Sequence, residues 1–242
     1  MIVILHGANG CGAEMEPLAA ALRPFGEVRA PNLPGHGGRP LPPRMSIEDA
    51  ADDVLASLGR DGVERAFFVG YSLGGYLALY LARRFPERVL GSCALATKFR
   101  FDPATVKHWT YLAQPERLRR PGNPRAAQLD RAHAPQDWTP ITLANARLFE
   151  ELGRAPPLTD ADLEAIARPV LLVNSNRDRL VAWAETLDLG RRIPGARLVM
   201  FYGLAHPLAR VPVHPVGRAI GAWMREVAPP ASSADAPAAT GT

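Results

Sequence analysis

Short, unbroken apolar runs recur along this chain, and each is closed by glycine or a polar loop. They centre on residues 2–5, 26–31, 66–70, 88–96, 169–174 and 197–202. Runs of this length predict strands, and the continuously apolar ones predict strands buried on both faces. Between them lie stretches with helical spacing at 13–23, 46–59, 73–84, 182–193 and 214–227. Strands and helices that alternate with short links predict an α/β fold, a mostly parallel doubly wound sheet with helices on both faces.

The alternation breaks once. Residues 98–168 hold no convincing strand and carry prolines at 103, 115, 121, 124, 135, 140, 156 and 157. Helical pieces are expected at 104–113, 124–132, 140–152 and 159–167, the last opened by the N-cap and acidic first turn of Thr159-Asp160-Ala161-Asp162. A segment this long between core strands is either functional or disordered, and Trp109, Tyr111, Trp138 and Phe149 favour a packed helical lid. The expected plan is a core first part at 1–97, a lid at 98–168, a core second part at 169–227 and a disordered tail at 228–242. The tail reading rests on its small residues and prolines.

One junction carries chemistry. The run ending at Val69 passes through Gly70-Tyr71-Ser72-Leu73-Gly74 into a helical stretch. A strand turns into a helix this tightly only if the serine takes a strained backbone, with glycines where neighbouring side chains would collide. Its hydroxyl then stands at the tip of the turn, beside the free N–H groups and positive dipole end of the helix. The plainer reading is a glycine-bracketed loop with a solvent-facing serine. A serine nucleophile also needs a base, an acid to orient that base, and donors for the developing charge. His6-Gly7-Ala8-Asn9-Gly10 follows the first strand, and its backbone offers Ala8 N–H as a partner to Leu73 N–H in an oxyanion hole. The His6 imidazole itself is expected to be a packed structural hydrogen-bonder. Asp178 follows the 169–174 strand and His206 follows the 197–202 strand. On successive strand ends of a parallel sheet, both face the crevice that holds Ser72.

Taken in order, His6-Gly7, Pro34-Gly35-His36-Gly37, Gly70-Tyr71-Ser72-Leu73-Gly74-Gly75, the 169–173 strand through Asp178, and Ala205-His206 resemble the α/β-hydrolase superfamily over residues 1–227. The likeness is to its small esterase-like members with a helical lid. The resemblance implies Ser72 as nucleophile, His206 as base and Asp178 as orienting acid. Such proteins usually have glycine where Ser175 stands and often a second acid at Asn176, a departure that bears on the conformation of the Asp178 loop. Many also carry one or two strands before the His-Gly strand. Here Met1 opens that strand, which implies either an exposed sheet edge or a clipped start. Asp102 is the alternative acid, because some relatives place a carboxylate there, and His214 is the alternative base. His36 is expected to shape a turn in the site wall, and His108 and His133 to be surface or structural. Relatives that open epoxides or displace halide use an aspartate nucleophile, so Ser72 argues against those activities.

Composition narrows the reading further. The chain has 242 residues, 47% of them apolar, enough for one large core. No apolar run is long enough to cross a bilayer, and residues 1–5 are too short for a secretory signal, so no membrane association and a cytoplasmic location are expected. Cys11 and Cys93 are isolated, as reduced thiols would be. No metal or nucleotide motif occurs, so neither a metal nor another cofactor is expected, and the net charge of +4 alone implies no nucleic-acid partner. The charge is uneven, however. From Lys98 to Arg131 eight basic residues face only Asp102, Glu116 and Asp130. That excess is either a solvated face or a means of steering an anionic substrate or acidic carrier protein. The expected activity is hydrolysis of esters with small or medium acyl groups. Thioester or carbon–carbon bond cleavage, and ligand binding without turnover, stand as the alternatives.

Overall fold

The computed structural model describes residues 1–203, 205–207 and 210–228. Six strands form one parallel sheet: β1 (Ile2–Leu5), β2 (Val28–Arg29), β3 (Ala66–Tyr71), β4 (Val89–Leu95), β5 (Val170–Ser175) and β6 (Arg197–Phe201), in the order β2-β1-β3-β4-β5-β6. The order reverses beside β1, and the strand ends there open onto one crevice.

Helices α1 (Glu16–Leu22) and α10 (Val213–Val227) cover one face of the sheet, while α2 (Ile47–Arg60), α3 (Leu73–Arg84) and α9 (Trp183–Arg192) cover the other. Alternation along each strand feeds both faces. On β1, Val3 and Leu5 join the cluster under α2 and α3, whereas Ile2 and Ile4 join the one under α1 and α10. All four are essentially inaccessible, and each contributes about 1.5–3 kcal/mol of hydrophobic stabilisation. Ser46 caps α2 by accepting the Asp49 N–H at 3.0 Å.

The strand expected at 26–31 shrinks to two residues. Pro31, one residue beyond Ala30, has no N–H to donate, and the Asn32 side chain instead bonds Gly12 N–H and Gly37 C=O. β2, rather than β1, is therefore the sheet edge on this side.

Between β4 and β5 the chain forms α4 (Pro103–Leu112), α5 (Pro115–Leu118), α6 (Pro124–His133), α7 (Thr139–Arg154) and α8 (Asp160–Glu164). Proline at the first helical position opens α4, α5 and α6, and second position in α7, where its missing N–H costs nothing. α8 starts in a capping box between Thr159 and Asp162 but ends at Glu164, short of the expected 167. Where α4 meets α7, Phe101 stacks on Phe149 and Trp109 meets both rings edge-on. The tail predicted at 228–242 lies outside the described residues beyond Ala228. No described helix is long and apolar enough to cross a membrane.

Candidate active site

β3 runs straight into α3 through Ser72, whose φ of +54° and ψ of −119° lie outside ordinary L-residue space. The surrounding glycines are required by contact. A Cβ on Gly70 would stand 2.0 Å from Gly74 C=O, one on Gly74 2.1 Å from Leu5 C=O, and one on Gly75 1.9 Å from Thr97 Oγ1. Ser72 N–H donates to Leu95 C=O at 2.8 Å and so anchors the turn to β4.

His206 and Asp178 reach the same point. Ser72 Oγ lies 3.2 Å from His206 Nε2, and His206 Nδ1 lies 2.7 Å from Asp178 Oδ2. The other Asp178 oxygen accepts Leu180 N–H at 2.8 Å and Val181 N–H at 2.9 Å, which fixes the carboxylate. Its side chain is 2% exposed and that of His206 11%. The contact with Asp178 assigns the proton to Nδ1 and leaves Nε2 free to accept from the serine hydroxyl. Of the alternatives, Asp102 caps α4 through Thr105 N–H, and His214 is exposed at the start of α10.

The loop after β1 closes the site from the other side. A Cβ on Gly7 would be 3.1 Å from Ser72 Cβ, so the backbone carrying Ala8 lies directly against the serine. Leu73 supplies the first N–H of α3, which has no intrahelical acceptor. Gly7, Ala8, Ser72 and His206 line one crevice of about 1130 Å³, roofed by Trp109 and Phe149 of the insertion.

Three further histidines pack edge-on or tilted beside the site, with ring centroids 5.0 Å apart for His6–His36 and 5.8 Å for His36–His133. Their nitrogens are engaged. His6 Nε2 accepts Leu33 N–H at 3.0 Å and its Nδ1 faces Gly7 C=O; burial holds its pKa down to about 4, so it stays neutral. His36 faces Pro34 C=O and the Asn145 amide, and His133 faces Gly37 N–H and Asn9 C=O. Burial lowers the pKa of both, most strongly for His36. His108 is exposed on α4. Among the described residues no cluster of His, Cys, Asp or Glu has the geometry of a metal site. Cys11 and Cys93 are both buried thiols, and burial raises the pKa of each.

Sequence reasoning missed several residues of this crevice. Tyr71 OH donates to His206 C=O at 2.6 Å and steadies the histidine loop; its place beside the serine in the turn was the available signal. Arg117, Arg125 and Arg210 line the crevice, and none makes an ion pair among the described residues. Their lining role depends on how the helices pack, which no local pattern reveals.

The alpha/beta hydrolase family profile matches residues 2–219. The pimeloyl-(acyl-carrier protein) methyl ester esterase of Neisseria meningitidis is 30% identical over 227 residues, spanning 85% of this chain and 70% of its own. The protein of that name from Aromatoleum aromaticum is 30% identical across 85% of this chain and 90% of its own. In fold, the chain is similar to a thermophilic esterase from Thermogutta terrifontis, with a TM-score of 0.76 at 24% identity over 94% of this chain and 90% of that one. With that profile covering all six strands and reaching into the first half of the last helix, the chain belongs to the alpha/beta hydrolase family and is a hydrolytic enzyme of it.

Proposed function

We propose that this enzyme hydrolyses carboxylic esters of small or medium acyl groups through a covalent acyl-serine. The observation that carries the reading is the relay from Ser72 Oγ through the His206 ring to Asp178, with both spacings in hydrogen-bond range. His206 Nε2 takes the Ser72 proton as the serine oxygen attacks the ester carbonyl. Ala8 N–H and Leu73 N–H hold the tetrahedral oxyanion, and Asp178 stabilises the imidazolium that forms. His206 then protonates the departing alcohol. Water, activated by the same imidazole, attacks the acyl-serine to release the acid and restore Ser72. The insertion between β4 and β5 acts as a lid that shapes the acyl pocket, since Trp109, Leu112 and Phe149 present apolar surface to the crevice.

A finer reading is favoured by the three crevice arginines: the acyl group carries an anionic moiety or is presented by an acidic carrier protein. The names of the Neisseria and Aromatoleum relatives agree with an ester on a carrier-bound acyl chain. Location in the cytoplasm fits such a substrate.

The test combines intact mass after fluorophosphonate treatment with a p-nitrophenyl ester series of increasing chain length. A single phosphonyl adduct on the wild type, absent in Ser72→Ala, with turnover of at least one ester, is the expected result. Folded protein that neither labels nor turns over any ester would overturn the hydrolase mechanism and favour ligand binding. Methyl esters of free and carrier-bound acyl chains, compared by kcat/KM, then decide between the coarse and fine readings.

A further inference from the structure

Asn9 follows the donor Ala8 and adopts a positive φ of 57°, a conformation asparagine tolerates better than most residues but which still needs holding. On the core side, Gly10 N–H bonds Gly7 C=O at 3.1 Å and closes the turn. Every side chain that bonds Asn9 among the described residues comes instead from the helical insertion. His133 Nε2 and Arg125 Nη2, both on α6, meet Asn9 C=O at 3.3 Å. Asn145 Nδ2, on α7, donates to Asn9 Oδ1 at 2.9 Å.

The surroundings of Asn145 fix its orientation. Its Nδ2 faces Asn9 Oδ1, Ile141 C=O and His36 Nε2, and turning the amide over would set oxygen against all three acceptors. The residue is fully buried, and its Oδ1 has no partner among the described residues. Protein interiors avoid such atoms, and the exceptions gather at sites where another demand prevails. Here the demand is the bond to Asn9.

We propose that Asn145, with His133 and Arg125 in support, is a positioning residue for the reaction: the seated insertion sets the oxyanion site by holding Asn9, and thereby aims Ala8 N–H at the developing charge. The lid is then more than a pocket wall. Helices that lift away take three of the grips on the loop with them, so the oxyanion site is complete only when the crevice is covered. The inference rests on Ala8 being an oxyanion donor.

Steady-state kinetics on the best p-nitrophenyl ester test it, with melting temperature as the check on folding. Asn145→Ala is expected to lower kcat about 10- to 100-fold with KM within about twofold, because a misaimed donor is felt in the transition state and not in ground-state binding. Asn9→Gly keeps the positive φ but removes the same bond, so the double variant should be no worse than the weaker single one. His133→Gln, which retains a donor and an acceptor, should recover much of the kcat lost in His133→Ala. Should Asn145→Ala melt too low to assay, Asn9→Gly and the His133 pair carry the test. A kcat near wild type in the folded variants, a loss confined to KM, or additive losses in the double variant would overturn the proposal. Ala8→Pro, which deletes the N–H, separates the two levels. If it keeps kcat, the assignment of Ala8 as donor fails; if it loses kcat while Asn145→Ala does not, the assignment stands and the positioning role fails.

Discussion

Asp178 divides its two oxygens between tasks, and that division predicts how the site fails. Oδ1 is committed to the N–H groups of Leu180 and Val181, and Oδ2 faces His206 Nδ1. In Asp178→Asn the single carbonyl oxygen would satisfy the two backbone donors, which turns the NH2 group towards the imidazole. Nδ1 must then accept, the ring proton moves to Nε2, and Nε2–H points at Ser72 instead of receiving its proton. A base in the wrong tautomer does not activate the serine. The expected loss in kcat is about 10³- to 10⁴-fold with little change in KM, measured on the same ester. A variant that keeps nearly full kcat would show that the carboxylate does not set the tautomer. Much of this residue-scale logic was legible in the chain, because Gly70, Ser72 and Gly74 encode a turn whose sterics are local. Asn9, His133 and Asn145 were not, since their contacts span more than a hundred residues and no periodicity marks them.

At the scale of elements, the insertion is fastened to the core by a buried clip at its start. Lys98 Nζ pairs with Glu185 of α9, whose other carboxylate oxygen accepts Phe99 N–H at 2.6 Å and Arg100 N–H at 2.8 Å. Both side chains are largely inaccessible, 13% and 9% exposed. Removing one partner of a buried pair leaves the other charge desolvated and unpaired, so Glu185→Ala should cost about 3–5 kcal/mol of unfolding free energy. Two backbone donors also lose their acceptor. Denaturant titration reads the loss, and a cost near zero would mean that the chain leaving β4 rearranges to hydrate Lys98. The elements themselves were largely readable because their patterns are strong: five of the six strands match their apolar runs closely. The sixth, β2, was overread since Pro31 and the competing Asn32 side chain end the pairing after two residues. α5 was missed because a four-residue helix has too few positions to show a period. The clip was invisible, as neither Lys98 nor Glu185 stands out locally.

At the scale of the molecule, the sign of the crevice matters more than the net charge. The sequence predicted a basic excess between residues 98 and 131, and the fold divides such residues between surface ion pairs and the crevice. Several of the chain's arginines are spent in ion pairs, as Arg100 is with Asp160 and Asp188 and Arg119 with Asp137. Arg117, Arg125 and Arg210 are left facing the crevice with Glu14 the one carboxylate on its walls among the described residues, and Arg117 rests over the Tyr111 ring at 5.2 Å. A crevice with low-dielectric walls and unpaired positive charge concentrates anions, and its reach falls with the Debye length, about 8 Å at physiological ionic strength. Two esters of equal acyl length, one ending in a carboxylate and one in a methyl group, therefore separate steering from simple apolar fit. For the anionic ester kcat/KM should fall several-fold between about 0.01 and 0.5 M salt, while the neutral one stays nearly flat. Arg117→Gln combined with Arg210→Gln should reproduce much of that loss at low salt by raising KM, and should leave the neutral ester untouched. Arg125 is kept out of this pair because it also holds Asn9. Equal salt responses for the two esters would return the arginines to the role of a solvated rim and leave the apolar walls of Trp109, Leu112 and Phe149 to set substrate preference.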